Sequence, residues 1–347
     1  MRKGMIVVKK VVTFGEIMMR LNPPNHRRFA QTDVFEVTYG GAESNVAALL
    51  AQLGVDAYFV SKIPDNPIGE AAIKHLRKHG VRTDYVLKGG ERLGIYFLEI
   101  GAAQRPSKVV YDRKYSAISK ADPEEFDWER ILKGASWFHF SGITPALGKN
   151  LQIAVKNALK TAKNLGVKVS CDLNYRAKLW STEEAQEVMS GYMEYIDLLI
   201  GNEEDYEKSL GIKTEGLDTS SGKINREAYI KVGKEIEEKF GIKSIAFTLR
   251  ESISASLNLW SGLLIESSMA HFSRKYEIQI VDRVGAGDSF SGGLIYATLS
   301  GMEPQDKIEF AVAASALKHT IPGDFSVISL EEIKKLSSGN ISGRVER

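Results

Sequence analysis

Apolar residues in this chain occur in short β-prone runs that alternate with longer segments of helical spacing. The alternation is most regular after residue 124, where each helical segment is followed by a short apolar run. The predicted helices are 42–53, 68–79, 124–133, 149–165, 182–192, 203–210, 227–240, 287–299 and 304–318, and the predicted strands are 11–16, 56–63, 137–140, 167–172, 196–200 and 244–249. This pattern predicts an α/β fold, in which a mostly parallel sheet is covered by helices on both faces.

Two extended runs, 93–100 and 108–113, interrupt the alternation. They are joined by a turn at 101–106 and predict a hairpin of a small sheet outside the main layer, which is a candidate lid. The segment between the first strand and Thr38 is irregular and carries two prolines. We also predict a hairpin of 253–258 with 263–266, a loop or short insertion at 213–226, and a disordered tail beyond Ser337.

The segment 282–290, with the sequence DRVGAGDSF, is the candidate centre of the chemistry. A β-prone run at 276–281 precedes it and an apolar helical pattern follows it, so we predict a strand, a loop of small residues and a helix start. The backbone N–H groups of Gly285, Ala286 and Gly287 then form a positive concavity that suits an anion. An aspartate beside an anion makes sense if Asp288 accepts a proton from a hydroxyl while the loop holds transferring phosphate oxygens.

Other interpretations of the same residues stay open at this point. One is an ordinary helix-capping turn. A dinucleotide-binding fingerprint is disfavoured because Phe290 stands where a third glycine is needed, and the chain lacks the Gly-Lys-Ser/Thr of a Walker loop. A serine hydrolase would use Ser289, although Ser291 stands where a nucleophile elbow has glycine. A non-catalytic sugar-binding protein would use the cleft alone.

Composition narrows the class of partner. The chain has 347 residues and a formal net charge of +2, so no strong field favours nucleic acid or a membrane surface. No run approaches the roughly 18 apolar residues of a membrane span. The single cysteine, Cys171, excludes an internal disulfide framework and is typical of a reducing cytoplasm. We therefore expect a cytoplasmic protein that binds small molecules.

Further polar groups complete the predicted site. Gly40 and Gly41 open the helix at 42–53 and allow close backbone approach. Asn45, one turn later, marks either a polyol site, in which Gly41 and Asn45 meet hydroxyls, or a cap with one stray asparagine. Arg176 is a candidate for bidentate anion binding. The acidic quartet 202–205 suits a magnesium-bound phosphate held through water, or is simply a negative first helical turn. The polar residues that follow predicted strand ends, and would gather along one edge of the sheet, are Glu16, Ser141, Asp172, Asn202, Thr248 and Asp288.

Three motifs together resemble the ribokinase-like (PfkB) carbohydrate kinases over roughly residues 11–330. They are GGAESNVA at 40–47, Asn202 with Asp205 in the middle of the chain, and DRVGAGDSF at 282–290. The middle motif of the family usually ends in glutamate, whereas Asp205 is one methylene shorter. The resemblance implies one ribokinase-like domain over 1–337 with lid strands from about 16–40 and 93–116, followed by the tail 338–347. It also implies ATP and Mg²⁺, with Asp205 as a magnesium ligand that acts through water, or with Glu204 in its place.

Within this family the chain is most similar to 2-keto-3-deoxygluconate kinases, through the segments 94–97, 111–113, 141–147 and 172–180. The implied substrate contacts are Gly41, Ala42, Asn45, Tyr96, Tyr111, Arg113, Arg176, Asp288 and Asp324. The implied ATP contacts are Asn174, Arg176, Asn202, Thr248, Arg250, Ser254 and the loop residues Gly285, Ala286 and Gly287.

The resemblance therefore predicts ATP-dependent phosphorylation of 2-keto-3-deoxy-D-gluconate to its 6-phosphate, with Asp288 as general base. Two arginines support a sugar acid independently, because a neutral sugar needs neither Arg113 nor Arg176. The alternative is a neutral-sugar kinase of the fructokinase or ribokinase type. Because a lid sheet has open edges that can pair with another subunit, we expect a homodimer or a higher homo-oligomer through the lid.

Overall fold

The computed structural model describes residues 9–213 and 224–340. The strands are β1 (Lys10–Phe14), β2 (Met18–Asn22), β3 (Glu36–Gly40), β4 (Asp56–Ile63), β5 (Val86–Lys88), β6 (Gly94–Glu99), β7 (Lys108–Asp112), β8 (Ala135–Ser141), β9 (Lys168–Asp172), β10 (Leu198–Gly201), β11 (Ser244–Ser252), β12 (Leu257–Glu266), β13 (Met269–Phe272) and β14 (Tyr276–Gln279). The helices are α1 (Ala42–Gln52), α2 (Pro67–Lys78), α3 (Trp128–Leu132), α4 (Ile143–Ala146), α5 (Lys149–Leu165), α6 (Thr182–Ser190), α7 (Glu203–Leu210), α8 (Arg226–Phe240), α9 (Ala286–Leu299), α10 (Pro304–Lys318) and α11 (Leu330–Ser337).

The main sheet has the order β13-β12-β11-β10-β9-β8-β1-β4-β5, and β14 pairs with β12 outside this path. The run from β5 to β11 is parallel throughout, whereas β12 pairs antiparallel with β11, β13 and β14. The mostly parallel sheet predicted from the sequence is therefore confirmed.

Helices cover both faces of this sheet because successive strand residues are apolar on opposite sides. In β8, Phe138 packs with the core formed by α3 and α5 to α8, whereas its neighbour Trp137 packs with the core of α1, α2, α9 and α10. In β10, Leu199 and Ile200 divide between the two cores in the same way. Burial on both faces explains why the parallel strands appear in the sequence as continuous apolar runs.

A second sheet, which we call the small sheet, has the order β3-β2-β6-β7. The predicted hairpin is its β6–β7 pair, with Ile95 opposite Asp112. Its other half comes from β2 and β3, which lie within the segment that the sequence showed as irregular. The segment looks irregular because β2 pairs in parallel with β6, far along the chain, and this pairing leaves no local period. The family resemblance had implied lid strands from about 16–40, and β2 and β3 lie in that range.

The predicted hairpin of 253–258 with 263–266 was also wrong in its bounds. The strand β11 continues to Ser252, and β12 runs without a break from Leu257 to Glu266. The turn lies between them, where the Ser254 hydroxyl accepts hydrogen bonds from the N–H groups of Ser256 (3.2 Å) and Leu257 (3.0 Å). A serine turn of this kind competes with strand continuation. The loop predicted at 213–226 and the tail predicted beyond Ser337 lie largely outside the described residues.

A buried arginine joins the small sheet to the main body of the fold. Arg20, on β2, is 1% exposed and pairs with Asp282 (2.6 Å) and Asp324 (3.0 Å). Tyr96, on β6, donates from its hydroxyl to the other oxygen of Asp324 (2.5 Å). Asp282 in turn accepts from the N–H groups of Val284 and Gly323. Two strands of the small sheet are thereby tied to the segment that leads into α9.

Replacement of this arginine tests how strongly the network holds the fold. Arg20→Met keeps much of the side-chain volume but leaves two carboxylates buried without their cation, so we expect the free energy of unfolding to fall by about 3–5 kcal/mol. The matched control is Arg92→Met, because the Arg92–Asp112 pair is 34% and 52% exposed and should contribute only about 0–1 kcal/mol. Urea unfolding measures both, and equal losses would contradict the role assigned to Arg20.

Candidate functional site

The loop before α9 is held in a conformation that only glycine adopts readily. Gly285 has φ of +84°, and a Cβ atom there would lie 2.1 Å from the carbonyl oxygen of Asp324. The helix begins at Ala286, so the N–H groups of Ala286 and Gly287 are in its first turn and lack intrahelical acceptors. The Ala286 N–H donates to the carbonyl oxygen of Arg283 (3.3 Å), whereas the Gly287 N–H next to it is available to an anion. The predicted loop and helix start are therefore present.

Asp288 follows this loop in the first turn of α9 and faces the start of α1. Its carboxylate accepts a hydrogen bond of 2.6 Å from the side-chain amide of Asn45. Burial raises the pKa of Asp288 to about 7, with smaller raising effects from Glu43 and Asp324, whereas the Asn45 hydrogen bond and Arg176 lower it. A carboxyl group with this pKa exchanges a proton readily near neutral pH, which suits a general base.

The glycine pair before α1 allows close backbone contact, as its sequence indicated. A Cβ on Gly41 would lie 1.9 Å from the carbonyl oxygen of Glu16, and one on Gly40 would lie 2.1 Å from the carboxylate of Asp324. Asn45 is bonded on both sides of its amide, because its oxygen accepts from the Gly41 N–H at 3.2 Å. This bond orients the Asn45 nitrogen toward Asp288.

A cavity of about 640 Å³, which we call the loop cavity, lies in front of the loop. The predicted ATP contacts that line it are Asn174, Arg176, Asn202, Thr248, Arg250, Ala286 and Gly287. Asn174 stands out because it has a left-handed backbone (φ +38°) and a buried side-chain oxygen without a hydrogen-bond partner. Ser254 and Gly285 are not among the lining residues. The Ser254 hydroxyl instead accepts hydrogen bonds within the β11–β12 turn.

A second cavity of about 730 Å³, the small-sheet cavity, lies beside β7. Tyr111, Arg113 and Arg176 are among its lining residues, and Arg176 also lines the loop cavity. Arg113 is buried and donates from Nε to Glu16 (2.8 Å), with a second contact from Nη2 to the same oxygen. The other oxygen of Glu16 is buried without a partner. No sequence pattern indicated that Arg113 would have a carboxylate partner inside the protein.

The remaining predicted substrate residues line neither of these two cavities; they are Gly41, Ala42, Asn45, Tyr96, Asp288 and Asp324. Tyr96 and Asp324 are buried and bonded to each other in the Arg20 network. Ala42 is the first residue of α1 and lies between Gly41 and Glu43. Glu43 is a site neighbour that the sequence analysis missed, and its buried carboxyl accepts from the Ser141 hydroxyl (2.6 Å) and the Thr144 hydroxyl (2.8 Å). Burial raises the pKa of Glu43.

Asp205 uses both carboxylate oxygens within the protein. They accept hydrogen bonds from the N–H groups of Tyr175 (2.8 Å) and Asn202 (3.0 Å), the latter as part of a capping box at the start of α7. Glu204, the next residue back, is exposed and lines both cavities. Within residues 9–213 and 224–340, no group of three His, Cys, Asp or Glu side chains could hold a metal ion. The magnesium role of Asp205 stays a prediction.

Ser289 does not have the surroundings of a nucleophile. It is 1% exposed, donates from its hydroxyl to the carbonyl oxygen of Gly285 (2.8 Å) and contacts the hydroxyl of Ser326. A serine nucleophile needs a base within hydrogen-bond reach and access to substrate. These contacts argue against the serine hydrolase alternative.

Comparison with known proteins agrees with this geometry. The profile described as pfkB family carbohydrate kinase matches residues 8–326. The chain belongs to the pfkB family of carbohydrate kinases. The ribokinase-like α/β fold expected from the sequence motifs is thereby confirmed for this pfkB kinase.

Three similar proteins illustrate the relationship. The pfkB kinase is 65% identical to a solved 2-dehydro-3-deoxygluconokinase of Thermotoga maritima, with a TM-score of 0.93 over 95% of this chain and 100% of that one. It is 32% identical to the 2-dehydro-3-deoxygalactonokinase of Haloferax volcanii over 96% of this chain and 98% of the other. The fold is also shared by a structure of a ribokinase II of E. coli in complex with ATP and Mg²⁺. The two chains are 22% identical and superpose with a TM-score of 0.79 over 95% of this chain and 99% of the other.

In the described part of the pfkB kinase, no helix has the length and apolar character needed to cross a membrane.

Substitution of Gly287 should affect ATP kinetics, whereas substitution of Gly285 should affect stability. A Cβ on Gly287 meets no protein atom within 4 Å, so in Gly287→Val the side chain enters the loop cavity without straining the fold. We expect kcat/KM for ATP to fall on the order of 10²-fold, because the valine occupies space for a phosphate oxygen. Gly285→Ala should instead lower thermal stability, given its φ of +84°. Unchanged ATP kinetics in Gly287→Val would mean that the loop only caps a helix.

The pKa of Asp288 predicts a pH dependence. The base must be deprotonated to act, so kcat/KM for the sugar should rise with pH and level off above about 7. Asn45→Ala should shift this rise in kcat/KM to higher pH, because the substitution removes a hydrogen bond that lowers the pKa of Asp288. Ser289→Ala is the control in the same helical turn. This variant should retain most of the activity, and its kcat/KM should rise over the same pH range as that of the wild type. A folded but inactive Ser289→Ala protein would favour the hydrolase alternative.

Proposed function

We propose that this pfkB kinase transfers the γ-phosphoryl group of ATP to the primary hydroxyl of 2-keto-3-deoxy-D-gluconate and forms the 6-phosphate. The observation that carries the proposal is the placement of Asp288. A carboxyl group of pKa about 7 directly follows the first-turn residues Ala286 and Gly287, which line the loop cavity. A base and an anion hole are thus adjacent, as phosphoryl transfer requires.

In the proposed reaction, Asp288, the loop N–H groups and Arg176 have separate roles. The carboxylate of Asp288 accepts the proton of the primary hydroxyl, and the hydroxyl oxygen forms a bond to the γ-phosphorus. The bond from phosphorus to the β–γ bridging oxygen breaks, and ADP leaves with that electron pair. The N–H groups of Gly285, Ala286 and Gly287 stabilise the charge on the transferring oxygens. Arg176, which lines both cavities, is placed to bridge phosphate and sugar.

Two observations support a sugar acid as the acceptor. Arg113 and Arg176 both line the small-sheet cavity, and two guanidinium groups suit a carboxylate better than a neutral polyol. The contacts of Arg113 with Glu16 engage Nε and Nη2, which leaves Nη1 for a ligand. The name of the 65% identical Thermotoga maritima protein, 2-dehydro-3-deoxygluconokinase, supports the same class of substrate.

Mg²⁺ would neutralise the ATP phosphates when bound. The residues present fit an ion that is held mainly by phosphate and water, because Glu204 is exposed to both cavities while Asp205 is already bonded to backbone N–H groups. We therefore assign Glu204 as the more accessible carboxylate for water-mediated contact. Asp205 then acts chiefly by orienting Asn202 and the start of α7.

We also propose that copies of the chain associate through the small sheet in the cytoplasm. Its edge strands β3 and β7 carry Val37 (52% exposed) and Val110 (51% exposed), and Val34 beside β3 is 61% exposed. Apolar groups on open strand edges favour pairing with another chain. The single buried cysteine and the use of ATP are compatible with a reducing cytoplasm. A monomer in sedimentation velocity at micromolar concentration would contradict the association.

A coupled ADP-release assay tests the function, with 2-keto-3-deoxygluconate, its galacto epimer, fructose and ribose as acceptors. We expect a preference for the acids, and Asp288→Asn should lower kcat by about 10²–10⁴. Arg113→Ala should weaken transition-state binding of the acid by about 2–5 kcal/mol through loss of a charge-assisted contact. It also unpairs Glu16, so the informative quantity is the ratio of kcat/KM for acid over neutral sugar.

The matched control is Arg105→Ala. It removes the same charge from the β6–β7 hairpin, where Arg105 pairs with Glu99 and lines neither of the two cavities. The ratio should fall in Arg113→Ala and remain in Arg105→Ala. A wild-type preference for fructose or ribose, or an unchanged ratio in Arg113→Ala, would replace the sugar-acid assignment with the neutral-sugar alternative.

A further inference from the structure

The last residue of α10 is a lysine that the proposed reaction does not use. Lys318 is 0% exposed, and its ammonium donates to the carbonyl oxygen of Ile321 (2.9 Å). Burying an ammonium group is costly, so a lysine in this position needs compensation from nearby negative charge. Burial lowers the pKa of Lys318, whereas Asp282 and Asp324 raise it.

The carboxyl-terminal end of α10 packs against the loop at 282–287. The Ser315 hydroxyl donates to the carbonyl oxygen of Ala286 (2.7 Å). The carbonyl oxygen of His319 accepts from the N–H groups of Val281 (2.9 Å) and Asp282 (3.1 Å). Lys318 itself packs behind Gly285, since its Cε lies 3.2 Å from the place a Cβ would occupy there. The lysine chain therefore lies directly behind the anion hole.

Within the buried group of charges behind this loop, Lys318 is the cation that offsets the second aspartate. Asp282 and Asp324 contribute two negative charges, and Arg20 contributes one positive charge through its ion pairs. The carboxyl end of α10 adds partial negative charge at the same place. Arg250 and Arg283 add positive charge on the cavity side of the loop. Without the Lys318 ammonium, the buried set of Asp282, Asp324 and Arg20 would be net negative and would weaken the attraction of the loop for phosphate oxygens.

We propose that Lys318 is a positioning residue for phosphoryl transfer: its buried ammonium offsets the negative charge behind the loop 282–287 and so preserves the attraction of the loop N–H groups for the transferring phosphate oxygens. The proposal rests on the proposed kinase function. Charge on those oxygens grows in the transition state, so the effect of Lys318 appears mainly in kcat and little in the KM of either substrate.

The test compares Lys318→Met, which keeps the volume without the charge, with Lys318→Ala, which leaves room for a small amine. We expect kcat to fall by about 10- to 100-fold in both, with KM for ATP and for the sugar acid within about threefold of wild type. Propylammonium should restore kcat of Lys318→Ala in a saturable manner, and the neutral 1-propanol should not. Ser315→Ala is the matched control, because it removes a contact of the same helix end with the loop but no charge, and propylammonium should not change its kcat.

Thermal unfolding of each variant separates a charge effect from loss of the fold. A wild-type protein without kinase activity on sugar acids would overturn the proposed function, and the inference with it. An active wild type with unchanged kcat in folded Lys318→Met would overturn the inference alone. Unfolded variants, or rescue by 1-propanol as good as that by propylammonium, would show that Lys318 has only a structural role and would also overturn it.

Discussion

The pairing of buried Arg20 with Asp282 and Asp324 is the constraint on which the rest of the site depends. Charges removed from water must be paired with good geometry, since an unpaired one costs several kcal/mol. The arginine comes from the small sheet, one aspartate precedes α9 and the other precedes α11. Three distant segments are therefore tied to each other, and Asp282, the first residue of the loop before α9, is held in place.

The packing that stabilises the fold also sets the pKa of the proposed base, Asp288. α9 is packed on nearly all sides, with Phe290, Leu294 and Ile295 buried in one core, so only its first turn is left to face the loop cavity. Asp288 lies in that turn, where burial raises its pKa and Asn45 opposes the increase. A carboxyl group on the surface would remain ionised and would be a weaker base. Position in the fold, rather than residue type, gives Asp288 its reactivity.

Sequence patterns predicted the main sheet well and the small sheet poorly. Strand 56–63 and helices 149–165 and 304–318 coincide with β4, α5 and α10, because each has a clear local period. The hydrophobic pattern did not show β2, because Arg20, a charged residue, occupies an inward position between Met18 and Asn22. Alternation read from polarity fails where a buried charge is paired with a partner that is far away in sequence.

The amino-acid sequence by itself determined the loop and helix start at 282–290, the glycine pair before α1 and the family of the protein, because these depend on local backbone requirements. Only the tertiary structure decided that Arg113 pairs with Glu16, that Asp205 is engaged by backbone N–H groups, and that Lys318 lies behind the loop. The physical reason is that desolvation and ion pairing depend on neighbours distant in the chain. Arg20 and Asp324 are separated by 304 positions, and no local pattern encodes their contact.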